Sequence, residues 1–176
     1  KTIADGVAAT DETYVWAPAF AHAAVLWRVV NATNAACAST NAKPFSIRTT
    51  TNTVFTFFVN DGSTANDVYT TDIGNDAQIG NASNAPRRSL QSIVNDYALR
   101  GGDTIYVDTG DYTTNLTISI GGFDSGSADN PVRIIGSPKG TTFNRSNTAA
   151  DTLDLTGAVN REIEHLRLMG GRPVRN

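Results

Sequence analysis

The side chains that could do chemistry here are mostly carboxylates, and one pair has an informative spacing. Glu162 and Glu164 flank Ile163 in a run of strand-forming residues. Side chains alternate between the two faces of a strand, so both glutamates are expected on one outward face. Such a pair could form an acidic site for a sugar or for calcium. An ordinary solvated strand face explains the same spacing and is favoured.

A second group of carboxylates lies in a long loop between residues 60 and 86. Its members are Asp61, Asp67, Asp72 and Asp76, interspersed with glycines. Loops of this length usually have a function or are disordered, and oxygen ligands of this type suit calcium. The group lacks the spacing and the closing glutamate of an EF-hand. A calcium site is therefore one hypothesis, and ordinary Asx turns are the other.

Other reactive residue types are few. His22 and His165 are the only histidines and are too far apart in sequence for a recognisable zinc motif. Cys37 is the single cysteine, so it cannot form an internal disulfide, and a buried hydrophobic role is expected for it. Four arginines near the end of the sequence are expected to lie on solvated strand faces: Arg161, Arg167, Arg172 and Arg175.

Composition excludes some classes of function. Only 18% of the 176 residues are charged and the formal net charge is -3, so the basic surface typical of nucleic-acid binding is not expected. No apolar run approaches the roughly 20 residues that span a bilayer, so no transmembrane segment is predicted. Residues 1–5 do not read as a signal peptide.

The elements that must position these residues are short strands. Runs of β-formers alternate with turns rich in Gly, Asp, Asn and Ser, and no helical pattern separates them. These runs are Thr104–Val107, Leu116–Ile120, Val132–Ile135, Thr152–Leu155 and Glu162–Leu168. Ile163 and Leu166 are an odd number of positions apart, so the chain must bend between them for both to point inward.

One helix is predicted ahead of these strands, over residues 86–99. Leu90, Ile93, Val94 and Tyr97 form a single apolar stripe. Ser83 or Asn84 is expected to cap the helix, and glycines at 101 and 102 to end it. A helix with one apolar face at this point is expected to cover the first strands.

Taken together, residues 54–176 resemble the N-terminal cap and first coils of right-handed parallel β-helix proteins of the pectate-lyase-like superfamily. The segments that carry the resemblance are 58–61, 67–71, 74–76, 86–93, 102–110, 131–136, 151–157 and 163–168. The resemblance implies a mainly β fold whose apolar side chains stack in an interior. It also implies a large secreted bacterial surface protein. Polysaccharide lyases and hydrolases belong to the same superfamily.

Residues 1–53 form a separate predicted domain. Strands are expected at Thr13–Trp16, Val25–Val30 and Lys43–Arg48, with a turn over 31–41 and a short helix at 19–26 as an alternative. This arrangement resembles the C-terminal half of a fibronectin type III-like sandwich. The first strands of such a sandwich have no counterpart, so either the sequence is a fragment or another chain is expected to complete the domain.

The predicted function is that of a structural or adhesive module at the bacterial cell surface or outside the cell. Two incomplete β modules favour association with copies of the same chain, as filaments, or with the remainder of a larger chain. The alternative is an N-terminal fragment of a polysaccharide lyase or glycoside hydrolase, for which polysaccharide would be the partner. No catalytic residues are assigned, and the sequence leaves open whether the segment belongs to an enzyme, with a non-enzymatic role favoured for this segment. No cofactor is expected other than calcium at the aspartate loop.

Overall fold

The computed structural model describes residues 22–26, 28–30, 38–40, 45–48 and 53–176. The chain divides into two compact units, residues 1–53 and residues 54–176. Each unit is described by itself below. The predicted strand at Thr13–Trp16 and the predicted role of Cys37 lie outside the described residues.

In the first unit, four short strands form two antiparallel pairs. Strand β1 (His22–Val25) pairs with β4 (Phe45–Ile47), and β2 (Arg28–Val30) pairs with β3 (Ala38–Thr40). The β4 strand was predicted. The single strand predicted over 25–30 is instead two strands, and the turn predicted over 31–41 is wrong at β3. Two separate pairs do not establish the expected fibronectin type III-like sandwich.

The second unit is mainly β with one α-helix. Its elements in chain order are β5 (Thr56–Val59), α1 (Leu90–Asp96), β6 (Thr104–Val107), β7 (Gly110–Thr113), β8 (Ile118–Ser119), β9 (Val132–Gly136), β10 (Thr141–Asn144), β11 (Asp151–Asp154), β12 (Arg161–Glu164), β13 (Leu166–Met169) and β14 (Arg172–Arg175). A 3₁₀ turn covers Gly122–Asp124.

These strands form three parallel sheets. Their orders are β12-β9-β6-β5, β13-β10-β7 and β14-β11-β8. From β6 onward the chain visits the three sheets in the same order three times. We call these passages set 1 (β6–β8), set 2 (β9–β11) and set 3 (β12–β14). Equivalent strands of successive sets are hydrogen-bonded neighbours, so their side chains stand in register.

Register places apolar side chains in columns between the sheets. Ile105, Ile134 and Ile163 are aligned in one sheet, and Tyr112 is aligned with Phe143 in the next. Ile105 and Ile134 are completely buried. The inward direction expected from alternation is observed at Ile105 and Ile134, because a period of two assigns every second side chain to the interior. The same alternation is wrong at Leu116, which is 75% exposed.

The predicted resemblance to the pectate-lyase-like right-handed β-helix is wrong. The structure has three short parallel sheets of three or four strands, with strands of two to five residues, and these do not reproduce that fold. The reason is that alternation in short strands predicts which side chains point inward. It does not specify how the strands are joined or how a sheet continues. The mainly β class, with parallel sheets and one helix, is confirmed.

The helix is present but shorter than predicted. Its N-cap is Ser89, whose hydroxyl accepts a hydrogen bond from the Ser92 N–H, so the caps predicted at Ser83 and Asn84 are wrong. Residues before Ser89 cannot join the helix because Arg87 is bridged to Val59 as an extended neighbour of β5. The apolar stripe packs inward, with Leu90 and Ile93 buried and the Tyr97 ring stacked on Phe57 at 4.7 Å.

The bend predicted between Ile163 and Leu166 is confirmed. It lies at His165, which has a left-handed backbone with φ of 55°. This residue separates β12 from β13, so Ile163 and Leu166 enter two different sheets. A non-glycine residue in this region is uncommon and marks a tight corner.

Candidate functional site

The strands of set 3 form an open end of the second unit. β12, β13 and β14 are each the last strand of their sheet, and each is paired on one side only within the described residues. An edge strand presents a row of unpaired backbone N–H and C=O groups, which is a template for further strand pairing. Three such edges lie side by side here.

Apolar side chains are less covered at this end than one strand earlier. Phe143 is 2% exposed, whereas Leu168, the next member of its column, is only half-buried. Leu153 is likewise buried, whereas its β14 partner Val174 is 48% exposed. Met169 is also exposed. The interior columns of apolar side chains are therefore partly exposed to solvent at set 3. This end of the unit combines that apolar area with the open backbone edges.

Glu162 and Glu164 lie on β12 at this end, and both stand on its outward face as predicted. Glu162 forms an ion pair with Arg133, with 2.8 Å between Oε2 and Nε. Glu164 is exposed, and its Oε2 lies 3.9 Å from Nδ1 of His165. Because Glu162 is already paired with Arg133, the two carboxylates are not equally available to a ligand. Their role in binding stays a prediction.

The outward face of the four-stranded sheet also carries aromatic rings. Phe58 and Tyr106 are cross-strand neighbours with ring centroids 5.8 Å apart, and Tyr69 from the long loop packs on Tyr106 at 4.6 Å. All three rings are half-buried. Glu164 stands in the same column as Phe58 and Tyr106, two strands further on. This face therefore brings rings and carboxylates together.

The long aspartate-containing loop is tied to the sheets through Asp108, a residue that the sequence analysis did not single out. The Asp108 carboxylate is fully buried and accepts hydrogen bonds from the backbone N–H groups of Val68, Tyr69 and Thr70 at 2.7–2.8 Å. It also accepts from the Thr70 hydroxyl and the Thr109 N–H. Burial alone would raise the pKa of Asp108, but these donors outweigh it and lower that pKa.

The four aspartates proposed for calcium have separate structural roles. Asp76 accepts from the N–H groups of Arg88 and Ser89 ahead of the helix. Asp67 accepts from the Asn60 amide, and burial raises the pKa of Asp67. Asp61 accepts from the Ser63 N–H two residues on, as an Asx turn does, and Asp72 accepts from the N–H of the next residue, Ile73. Among the described residues no three acidic, His or Cys side chains form a group that could hold a metal. The calcium hypothesis stays a prediction.

Comparisons with known proteins give no family for this chain. No family model, no curated protein and no solved structure matches it. Within the described ranges, the structure contains no helix long and apolar enough to cross a lipid bilayer. Function must therefore be argued from the surfaces described above.

The sequence predicted incomplete β modules with exposed edges, but the local pattern did not identify which side chains are exposed there, because exposure depends on what packs next to a strand. The β13 residues Leu166 and Leu168 have the same apolar character as buried strand residues elsewhere in the chain. Only their position in the last set distinguishes them. The signal for Asp108 was equally weak, since an aspartate after a strand is common in turns.

Proposed function

We propose that this chain is a structural or adhesive extracellular module that associates with copies of itself through the open end formed by β12, β13 and β14. The observation that supports the proposal is the change along the interior columns, from buried in set 2 to half-buried or exposed in set 3. A surface with few charges, rich in Thr, Asn, Ser and Gly, is compatible with an extracellular location.

The physical argument combines two terms. Burying an apolar side chain such as Leu168 or Val174 in an interface contributes about 1–2 kcal/mol, from roughly 25 cal/mol per Å² of apolar area. Three unpaired strand edges add backbone hydrogen bonds that fix the orientation of the partner. Association of the open end with a different surface of the next copy would be heterologous, and such contacts extend into filaments when they do not close into a ring.

Light scattering on a size-exclusion column tests the proposal. The wild-type chain is expected to give a mass that rises with concentration. Leu168→Lys and Val174→Lys place a charge in the proposed interface and are expected to shift the mass to that of a monomer. Phe123→Lys is the matched control, because Phe123 is an apolar residue exposed to 94% outside the open end.

A wild-type chain that remains a monomer at millimolar concentration would refute self-association. Assembly that persists unchanged in both lysine variants would show that another surface is responsible. Assembly lost equally in the Phe123→Lys control would show a general effect of charge rather than a specific interface.

A second candidate function is polysaccharide binding on the outward face of the four-stranded sheet. The observation that favours it is the contact between the Tyr69 and Tyr106 rings, with Glu164 two strands further on in the same column. Aromatic faces pack on sugar rings, and carboxylates accept hydrogen bonds from hydroxyls. Tyr69→Ala and Glu164→Gln are expected to weaken retention on immobilised polygalacturonate or alginate. Equal retention of wild type and both variants would exclude this face. Cleavage of either polymer by the wild-type chain would instead support the alternative of an enzyme fragment.

A further inference from the structure

A groove of about 450 Å³ lies at the opposite end of the second unit, beside β7. Its floor is apolar and its rim is polar. The floor includes Leu90, Tyr112, Ile118 and Phe143, and the rim includes Asp61, Arg88, Asp111 and Thr113. Clefts of this size and lining are typical of binding sites in proteins.

The groove lies along the edge of β7 in set 1 that has no neighbouring strand among the described residues. The free edge of β6 is covered by β5, which pairs with it in parallel. β8 is covered by α1, where Gln91 accepts from the Ser119 N–H at 2.7 Å and donates to the Ser119 carbonyl at 3.2 Å. β7 is paired only with β10 within the described residues. Among the residues that the structure describes, its edge is therefore the one in set 1 that has neither a strand nor a helix beside it.

Backbone groups of β7 point into the groove. The N–H groups of Gly110 and Thr114 donate to Gly140 and Asn144 on the β10 side, at 3.1 and 2.8 Å. Consecutive residues of a parallel strand bond to opposite sides, so the peptide groups of Asp111 and Thr113 face the other way. Both residues are exposed. The edge thus offers donors and acceptors at the spacing that an added strand requires.

The elements on either side of β7 determine which partner can reach its edge. On one side of β7, β5 extends the sheet of β6 by one strand spacing of about 4.8 Å, and on the other side α1 covers the edge of β8. The end of a second copy presents three strands at one level, so β5 and α1 would block it before its middle strand reached β7. A single extended segment meets no such obstacle.

We propose that the groove binds an extended peptide segment of a partner protein, which pairs with β7 as an added strand. β10, on the other side of β7, shows the pattern that such a strand follows. Phe143 stands beside Tyr112 with ring centroids 5.2 Å apart, and Thr142 stands beside Asp111. The peptide therefore has an apolar residue next to Tyr112 on the inward side.

The neighbouring outward position of the peptide is basic. Asp111 is exposed and has no ion-pair partner among the described residues. Arg88 lies at the Gly62 end of the rim, where a methyl group added to Gly62 would come within 2.6 Å of its guanidinium. Opposite charges on cross-strand neighbours stabilise pairing, so a basic side chain beside Asp111 is favoured. The partner segment therefore contains a basic residue followed directly by an apolar residue.

A suitable probe is the capped hexapeptide His-Leu-Arg-Leu-Met-Gly, which is the sequence of residues 165–170. In the protein, this sequence pairs with β10 so that Arg167 lies beside Thr142 and Leu168 beside Phe143. The same register on β7 places the arginine beside Asp111 and the leucine beside Tyr112. Titration into ¹⁵N-labelled protein is expected to shift the amide signals of Asp111 and Thr113 and to slow their hydrogen exchange.

Variants make the test specific. Asp111→Lys is expected to weaken peptide binding about tenfold, because an attractive cross-strand pair becomes repulsive. Thr113→Pro removes one of the backbone donors that the peptide needs, so it is expected to abolish binding. The fold should persist, because proline is tolerated on an edge strand. Asp129→Lys, at an exposed residue outside the groove, is the matched control and is expected to bind as wild type does.

Three results would overturn the proposal. One is the absence of shifts at Asp111 and Thr113 with millimolar peptide. Another is shifts confined to β12–β14, which would place the peptide at the open end instead. The third is equal affinity of Asp111→Lys and Asp129→Lys. The proposal is independent of self-association, because the two surfaces share no residue.

Discussion

Replacing Asp108 by Asn is expected to release the loop around residues 67–70 from the sheets. The Asp108 Oδ2 atom accepts from the N–H groups of Tyr69 and Thr70 and from the Thr70 hydroxyl. In the variant an NH₂ group takes the place of this acceptor. The Thr70 hydroxyl can rotate to accept, but the two backbone N–H groups cannot.

The magnitude follows from those two donors. A buried donor left without a partner costs about 1–3 kcal/mol, and hydrogen bonds to a charged acceptor are the stronger kind. Asp108→Asn is therefore expected to lower the free energy of unfolding of the second unit by about 3–5 kcal/mol. Asp76→Asn is the matched control. Its carboxylate accepts four hydrogen bonds but is exposed, so water replaces what is lost and the cost is below about 1 kcal/mol.

Urea unfolding followed by circular dichroism measures both variants. Tryptophan fluorescence is unsuitable, because Trp16 and Trp27 both lie in the first unit. Hydrogen exchange at Tyr69 and Thr70 reports the loop directly and is expected to accelerate in Asp108→Asn alone. Equal destabilisation by the two variants, or unchanged exchange at Thr70, would refute the role assigned to the buried carboxylate.

The same carboxylate predicts a dependence on pH. Its pKa is lowered in the folded state. Its contribution to stability is therefore present above the ordinary aspartate pKa of about 3.9 and is lost as the pH falls through the lowered value. Asp124 acts in the opposite sense, because burial raises its pKa and protonation relieves a cost. The difference between wild type and Asp108→Asn isolates the first effect, and it is expected to shrink below about pH 4.

Three further predictions concern packing and one ion pair, and can be measured by the same urea titration. Phe143→Ala is expected to lower the free energy of unfolding by about 3–5 kcal/mol, and Leu168→Ala by only about 1 kcal/mol, both measured in dilute monomer. The two residues share a column, but only Phe143 is buried. Equal costs would mean that the open end is covered. Gly136→Ala is expected to cost about 1–3 kcal/mol, since its added methyl group would meet the carbonyl oxygen of His165, and a neutral result would contradict that close approach. Arg87→Met is expected to cost about 3–5 kcal/mol by removing the partly buried ion pair between Arg87 and Asp96 at 2.8 Å. Adding Asp96→Asn should recover part of the loss, and no recovery would show that packing of the arginine stem is responsible.

Strands with several β-branched or aromatic residues could be predicted from the sequence. Thr104–Val107 and Val132–Gly136 are examples, and the helix around Ile93 is another. β7 and β10 were missed because each contains one large apolar residue among Gly, Asp, Thr and Asn. Pairing with neighbouring strands determines their conformation, and pairing across more than twenty residues is not visible in a local pattern.

The candidate surfaces were predicted less completely than the strands. The outward direction of Glu162 and Glu164 followed from alternation, but the ion pair with Arg133 depends on a neighbouring strand. The aspartates of the long loop were recognised as a group by composition. Their separate hydrogen bonds depend on where the loop crosses β6 and the start of the helix, which composition does not encode.

Because β8 is short, the second unit is expected to resist a pulling force least at this strand. β8 has only two residues, and it is paired with β11 at Ile118 and Ser119 alone. A pulling force applied along the chain would concentrate at this seam, since it has fewer hydrogen bonds than the four-position ladders on either side. The region from 115 to 124 should therefore detach as the first step of mechanical rupture, while the sheet built on β6 remains intact.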